Sequence, residues 1–272
     1  MSSILVSGGN SGIGLAAARE FVRASHRVVL LGRDPNKGKE ALESLGDARN
    51  RASFIAVDLS THEGVRGAAK RVLAENDSFD AVLHSTGVFT TEDVRTVDGL
   101  NLFFAVNYLS RYHLTQLLLP ALRRVERARV VMMTASVSVS TPIDVRQFPR
   151  FEPFDLWRMR LPIQVANHHY AAHLSRSEPG LLAGVINAGS AKTDILRSMP
   201  WYMRAIATVV VPIFFNSIAE SAHNAVEACL RDDWAAATYW EKPGNFEHRT
   251  PIVLDETVTR RLMHASREIT GA

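Results

Sequence analysis

Ser7-Gly8-Gly9-Asn10-Ser11-Gly12-Ile13-Gly14 places four glycines within eight residues. The segment directly follows a short apolar run and directly precedes an amphipathic one. Glycine there permits a tight turn and lets the backbone approach a phosphate closely. A helix starting at such a turn presents free N–H groups and the positive end of its dipole to an anion. An ordinary strand-to-helix turn also tolerates glycine, but the flanking strand and helix are what a dinucleotide turn requires. The next apolar run ends Leu31-Gly32-Arg33-Asp34. An acidic side chain at that strand end would hold a ribose 2′-hydroxyl. Here Arg33 comes first, and a guanidinium matches a 2′-phosphate. The spacing therefore predicts NADP(H), with Asp34 keeping NAD(H) as the less favoured alternative.

These residues need strands that end in a row. Apolar, β-branched runs predict strands over Ile4–Ser7, Arg27–Leu31, Ser53–Val57, Ala81–His84, Arg129–Thr134, Leu182–Asn187 and Ala236–Tyr239. Between them, helical spacing of apolar residues predicts helices over Gly12–Ala24, Leu100–Arg124, Gln164–Arg176 and Ser217–Leu230. Near-continuously apolar strands alternating with helices imply a parallel sheet covered on both faces. The reading is α/β: a single doubly wound Rossmann-type domain spanning residues 1–272. The Pro-containing stretch Thr141–Pro162 reads as a loop or insertion.

Bulk properties narrow the function classes. Hydrophobic residues make up 46% of the 272 positions, enough for a sizeable core. The net charge of +3 comes with scattered Arg and Lys, which argues against nucleic acid. Cys229 is the only cysteine, so no intrachain disulfide forms. That count, and an N-terminus without a basic region and apolar stretch, predict a reducing, cytoplasmic setting. Ala205–Phe215 is the most apolar run and is too short to cross a bilayer. It reads as a lid over an apolar small-molecule pocket. A membrane-surface contact and ordinary core are the alternatives. His169-x3-His173 has the spacing of two metal ligands on a helix. It lacks the glutamate of a zinc protease motif and a third ligand, so no metal is expected.

Taken jointly, the motifs resemble the short-chain dehydrogenase/reductase family. Gly8, Gly12 and Gly14 reproduce its Gly-x3-Gly-x-Gly turn. Asp58-Leu59 follows the third strand, where the family binds adenine. Asn107 matches its helix asparagine and Ser136 its catalytic serine. Gly87 matches the glycine after strand four. Ala188-Gly189-x3-Thr193 looks like the segment that holds the nicotinamide amide. The C-terminal third is most similar to retinol-dehydrogenase-like members. The resemblance implies binding contacts at Ser7, Gly8, Asn10, Ser11, Gly12, Ile13, Gly14, Arg33, Asp58, Leu59, Gly87, Gly189 and Thr193. It also implies a substrate lid around residues 195–218, with Met199, Trp201, Tyr202 and Met203 in it, and a homo-oligomer paired through the long helix and the helix containing Gln164.

Two departures stand out. The family's Asn-Asn-Ala-Gly reads His84-Ser85-Thr86-Gly87, so His84 replaces an amide that braces the sheet. The catalytic Tyr-x3-Lys pair is missing. Leu174 stands four residues after Tyr170, and Tyr170 is too close to Gly189 for a helix and a strand to intervene. Aligning Gln164-Val165-Ala166-Asn167 with the family's Lys-Leu-Ala-Asn puts Gln164 at the lysine position and Arg160 at the tyrosine position. Guanidinium does not deprotonate in proteins, and an amide carries no charge to tune a neighbour. Arg160 is left to hold a carboxylate, or to stabilise an enolate or alkoxide beside Ser136; a surface role at the pocket rim is the alternative. Positions 160, 164 and 168 lie near one helix face, so among His168, His169, Tyr170 and His173 it is His168 that could look toward the pocket as proton donor, with water as the other source. A core or interface histidine is the commoner outcome at such a position. The candidate catalytic set is thus Ser136, Asn107, Arg160, Gln164 and His168. Three functions follow: an NADP(H)-dependent oxidoreductase on an apolar carbonyl or alcohol with an altered proton donor, a non-redox cyclase, lyase or isomerase using Arg160 and Ser136, and a catalytically silent nucleotide-binding protein.

Overall fold

The computed structural model describes residues 1–189 and 217–272. Its sheet has the order β3-β2-β1-β4-β5-β6-β7-β8. The strands are β1 (Ser3–Ser7), β2 (Arg27–Gly32), β3 (Ala52–Ala56), β4 (Ala81–His84), β5 (Arg129–Thr134), β6 (Leu182–Asn187), β7 (Thr238–Trp240) and β8 (Thr250–Pro251). All neighbours pair in parallel except β7 and β8. The two-residue β8 corrects the expectation of a wholly parallel sheet. It returns from β7 without a helical crossover, so it can only run antiparallel.

Period-two burial divides the core between the sheet's faces. Leu5, Val130 and Met132 belong to one buried cluster, and Ile4, Val6, Val131 and Met133 to the other. On one face lie α1 (Gly12–Arg23) and α7 (Ile218–Leu230); on the other lie α3 (His62–Glu75), α5 (Ser110–Leu122) and α6 (Leu156–Ser177). Helix α2 (Pro35–Glu43) packs beside β3. The C-terminal helix α8 (Glu256–Thr270) lies against α6.

Several boundaries differ from the sequence expectation. The predicted helix Leu100–Arg124 is composite: α4 (Leu102–Phe104), a π-helical turn (Ala105–Leu109) and α5. Helix α6 begins eight residues before Gln164, inside the stretch read as a loop. Asp155 caps it by accepting from the amides of Trp157 and Arg158. Pro162, the end of that stretch, sits in the second turn, and the helix continues through it. Helices α2, α3 and α8, and strand β8, were not anticipated. Of the proposed lid, only Ser217 and Ile218 are described; they cap and open α7. The remaining lid residues, with Met199, Trp201 and the Ala205–Phe215 run, lie outside the described residues, as does Thr193.

Candidate active site

The sheet order reverses between β1 and β4, and all the candidate loops leave the carboxyl ends of the strands around that point. Ligands bind at such switch points in open α/β sheets. Gly8 and Gly12 have φ of +74° and +52°, in the left-handed region that favours glycine. The turn is tied to β2 by the Gly8 and Gly9 amides, which donate to the Leu31 carbonyl at 2.9 and 3.2 Å. A Cβ on Gly14 would lie 2.3 Å from the Gly8 carbonyl oxygen, and one on Gly8 would lie 2.8 Å from the Thr86 amide. Glycine is therefore required by close approach as well as by dihedral angle. Ser11 is the N-cap of α1, but its side chain makes no capping hydrogen bond. The first-turn amides of α1 thus keep their donors for an anion. A cradle that a Cβ would fill, at an uncapped helix N-terminus, fits the pyrophosphate of a dinucleotide. Asn10 packs over Gly32, where a Cβ would lie 2.6 Å from its side chain.

Ser7 does not contribute its side chain to this cradle. It is buried, and its hydroxyl lies 3.5 Å from His84 Nδ1. His84 Nε2 lies 2.8 Å from the Thr115 hydroxyl on α5. His84 therefore braces β1, β4 and α5. Burial, with the Arg111 guanidinium nearby, pushes its pKa down to about 3, so it is neutral at physiological pH.

At the end of β2, Arg33 is exposed. Asp34 is the N-cap of α2, its carboxylate accepting from the amides of Asn36 at 2.9 Å and Lys37 at 3.2 Å. Asp58 is held similarly, accepting from the Ser60 amide at 2.9 Å. Leu59 is buried beside α3 and lines a small cavity with His62 and His113.

Asn107 sits on the π-helical turn. Its Oδ1 accepts from the Val88 amide at 3.2 Å, and its Nδ2 donates to the Val88 carbonyl at 3.0 Å. A Cβ on Gly87 would lie 3.1 Å from that Oδ1. The asparagine thus pairs with the β4 loop as one peptide pairs with another. Its own carbonyl accepts from Asn167 Nδ2 at 3.1 Å. After β5, Ser136 is exposed. Gln164, buried on α6, accepts from the Ala135 amide at 3.3 Å, one residue before Ser136. After β6, Gly189 has φ +66° and its amide donates to Asn187 Oδ1 at 2.8 Å.

Arg160 and His168 lie one turn either side of Gln164, with different surroundings. The Arg160 guanidinium stacks over the Trp157 ring at 4.9 Å, and Trp157 is 70% exposed. Arg160 Nε is buried without a hydrogen-bond partner. Of the two readings of His168, pocket donor and core histidine, the core one matches its surroundings: it is 0% exposed. Its ring packs edge-on against Tyr239 of β7 at 4.6 Å, and its Nε2 has no partner. One helical turn further from the strand ends, the same helix face meets core instead of solvent. Burial lowers the His168 pKa to about 4. Tyr170 is buried too; its hydroxyl donates to the Tyr112 carbonyl and accepts from Gln116. His169 Nδ1 lies 2.7 Å from the Thr259 hydroxyl of α8. Among the described residues, no group of three His, Cys, Asp or Glu side chains could hold a metal ion.

Sequence reasoning passed over Arg111 and Asn167. Arg111 donates to Asn167 Oδ1 at 3.1 Å and to the Thr86 carbonyl at 2.8 Å. The available signal was Arg111 as the one Lys, Arg, Asp or Glu between Leu102 and Leu122, one turn after Asn107.

Residues 2–146 match the family described as short chain dehydrogenase. The chain belongs to the short-chain dehydrogenase/reductase family. The family's enzymes are oxidoreductases, and its fold implies a nicotinamide dinucleotide cofactor. Human "Dehydrogenase/reductase SDR family member 13" is 26% identical over 98% of this chain and 72% of that protein. Mouse "Retinol dehydrogenase 14" is 25% identical over 99% of this chain and 86% of that protein. Human "Polyprenol dehydrogenase" is 21% identical over 98% and 84%. These likenesses support the retinol-dehydrogenase-like branch. Among solved structures, an uncharacterized protein from Mycobacterium paratuberculosis superposes with a TM-score of 0.76. It is 21% identical and covers 100% of this chain and 94% of its own. Among the described residues, no helix is long and apolar enough to cross a membrane.

Proposed function

We propose that the protein binds NADP(H) and transfers hydride to or from an apolar carbonyl or alcohol, with a proton donor other than the family's tyrosine. The observation that carries the cofactor choice is the division of labour at the end of β2. The Asp34 carboxylate is committed to capping α2, which leaves the exposed Arg33 guanidinium for a 2′-phosphate. The glycine cradle and the α1 N-terminus take the pyrophosphate. Asn107 fixes the β4 loop, Gly189 opens the β6 loop, and Thr193 follows as the residue expected on the nicotinamide amide. A bound nicotinamide supplies or accepts the hydride.

The proton is the altered part. No tyrosine in the chain stands four residues before a lysine. His168 has no solvent-accessible surface, so it serves as donor only if Tyr239 moves. Ser136, exposed beside the Gln164 contact, is the hydroxyl placed to hydrogen-bond a substrate oxygen, with water completing the transfer. Arg160 remains the fixed cation available to a developing alkoxide or enolate. An apolar substrate is supported by the names of two relatives, a retinol and a polyprenol dehydrogenase, and by the apolar 199–215 run. A cytoplasmic setting and pairing of copies through α5 and α6 belong to the same reading. Helix α8 already covers part of α6, so such pairing would use what α8 leaves free.

Loss of the Tyr-x3-Lys pair favours a second reading, a non-redox or silent nucleotide-binding protein. One experiment separates the two. Purified protein is titrated with NADPH and NADH, then assayed with a panel of apolar aldehydes and ketones by nicotinamide absorbance. Tighter NADPH binding with slow turnover is expected. NADPH binding without any turnover favours the second reading, and tighter NADH binding overturns the cofactor assignment.

A further inference from the structure

Arg111 is 3% exposed, and burial lowers its pKa to about 9. Among the described residues, no carboxylate lies within ion-pair distance of it. Its two hydrogen-bond acceptors are neutral, the Asn167 amide oxygen and the Thr86 carbonyl, and its Nε has no hydrogen-bond partner. The nearby His84 is itself neutral. A buried charge left uncompensated is costly, so its retention calls for an opposite charge.

The surroundings show where that charge would arrive. Thr86 separates Arg111 from the glycine turn: its carbonyl accepts from the guanidinium, and its amide and Cα abut Gly8, where a Cβ would lie 2.8 and 2.9 Å away. On the other side, Asn167 links the guanidinium to the Asn107 carbonyl and to the Gln164 carbonyl, at 3.1 and 3.2 Å. The guanidinium thus lies behind the cofactor cradle and below the position where the family carries its lysine. We propose that Arg111 is the positive charge of this site, a positioning residue that holds the β4 loop against the glycine turn and is balanced by the pyrophosphate end of the bound dinucleotide. The charge lost at Gln164 is relocated to the neighbouring helix.

This inference rests on the dinucleotide-binding reading above, and its test keeps the two apart. NADPH is titrated into the full-length wild type and into Arg111→Met, Arg111→Lys and Arg111→Met with Gln164→Lys, following intrinsic fluorescence. Arg111→Met is expected to weaken binding about tenfold, as for one charge acting across several ångströms of desolvated protein. Arg111→Lys should stay within about threefold of wild type, the ammonium keeping the charge without the fork. Adding Gln164→Lys to Arg111→Met should recover most of the loss by returning a cation from α6. Equal binding by wild type and Arg111→Met overturns this inference alone. So does a loss shared equally by Arg111→Lys and not recovered by Gln164→Lys, which assigns the effect to hydrogen-bond geometry. Wild type that binds no dinucleotide overturns both readings. If Arg111→Met fails to fold, Arg111→Gln, whose amide can still donate to the Thr86 carbonyl or the Asn167 oxygen without the charge, and Arg111→Gln with Gln164→Lys take its place with the same expected loss and recovery.

Discussion

The Gln164 side chain accepts a hydrogen bond from the Ala135 amide at 3.3 Å, joining α6 to the end of β5 one residue before Ser136. On the proposed alignment, this amide stands at the family's lysine position and Arg160 at its tyrosine position. Arg160→Tyr with Gln164→Lys should raise turnover of an apolar aldehyde with NADPH by about 10²–10⁴, the usual size of general acid–base help. Unchanged turnover, with folding and NADPH binding intact, would show that residue 160 does not reach the substrate oxygen.

Gly14→Ala should abolish measurable dinucleotide binding, because its Cβ would lie 2.3 Å from the Gly8 carbonyl oxygen. The same clash should lower stability by roughly 1–3 kcal/mol, the range for overpacking. Dinucleotide titration and urea unfolding read the two effects separately. Gly67→Ala, with nothing within 4 Å of the added methyl, is the matched control on an open surface.

Arg33→Ala should weaken NADPH binding by about tenfold or more and leave NADH binding nearly unchanged. A hydrogen bond to a charged group contributes about 1.5–3 kcal/mol, and only NADPH carries the 2′-phosphate. Equal losses for both dinucleotides would place Arg33 on a shared part of the cofactor.

Acid should destabilise this fold through its buried histidines. His84 has a folded pKa near 3, and His113, His168 and His169 near 4, against an ordinary value of 6.5. Between those limits the unfolded chain binds protons that the folded chain refuses. Stability is therefore fully present above pH 6.5 and is lost as pH falls toward 3. His84→Asn should reduce that slope by at most about 1.4 kcal/mol per pH unit. Thermal unfolding measured across this range checks the sign, and a wild-type Tm that rises on acidification would contradict it.

The amino-acid sequence by itself determined the α/β class, the positions of strands β1 to β7 and the glycine turn, because these depend on local apolar period and on backbone freedom. It also shows that no tyrosine stands four residues before a lysine, since a spacing can be read without coordinates. Helices α2, α3 and α8 escaped notice because many of their positions are polar and small; their caps at Asp34, Thr61 and Asp255 were the local signals available. Only the tertiary structure decided which polar residues face solvent and which are enclosed. Spacing put Arg160, Gln164 and His168 on one face, but depth along α6 separates a cation near the rim, an amide on the β5 loop and a histidine beneath Tyr239. Spacing did not show what engages Asp34; the fold gives its carboxylate to the α2 N-terminus. Arg111 and Asn167 gained meaning only when α5 and α6 came together behind Thr86. Such contacts join residues far apart in the chain, and burial, not sequence proximity, sets how strongly they act.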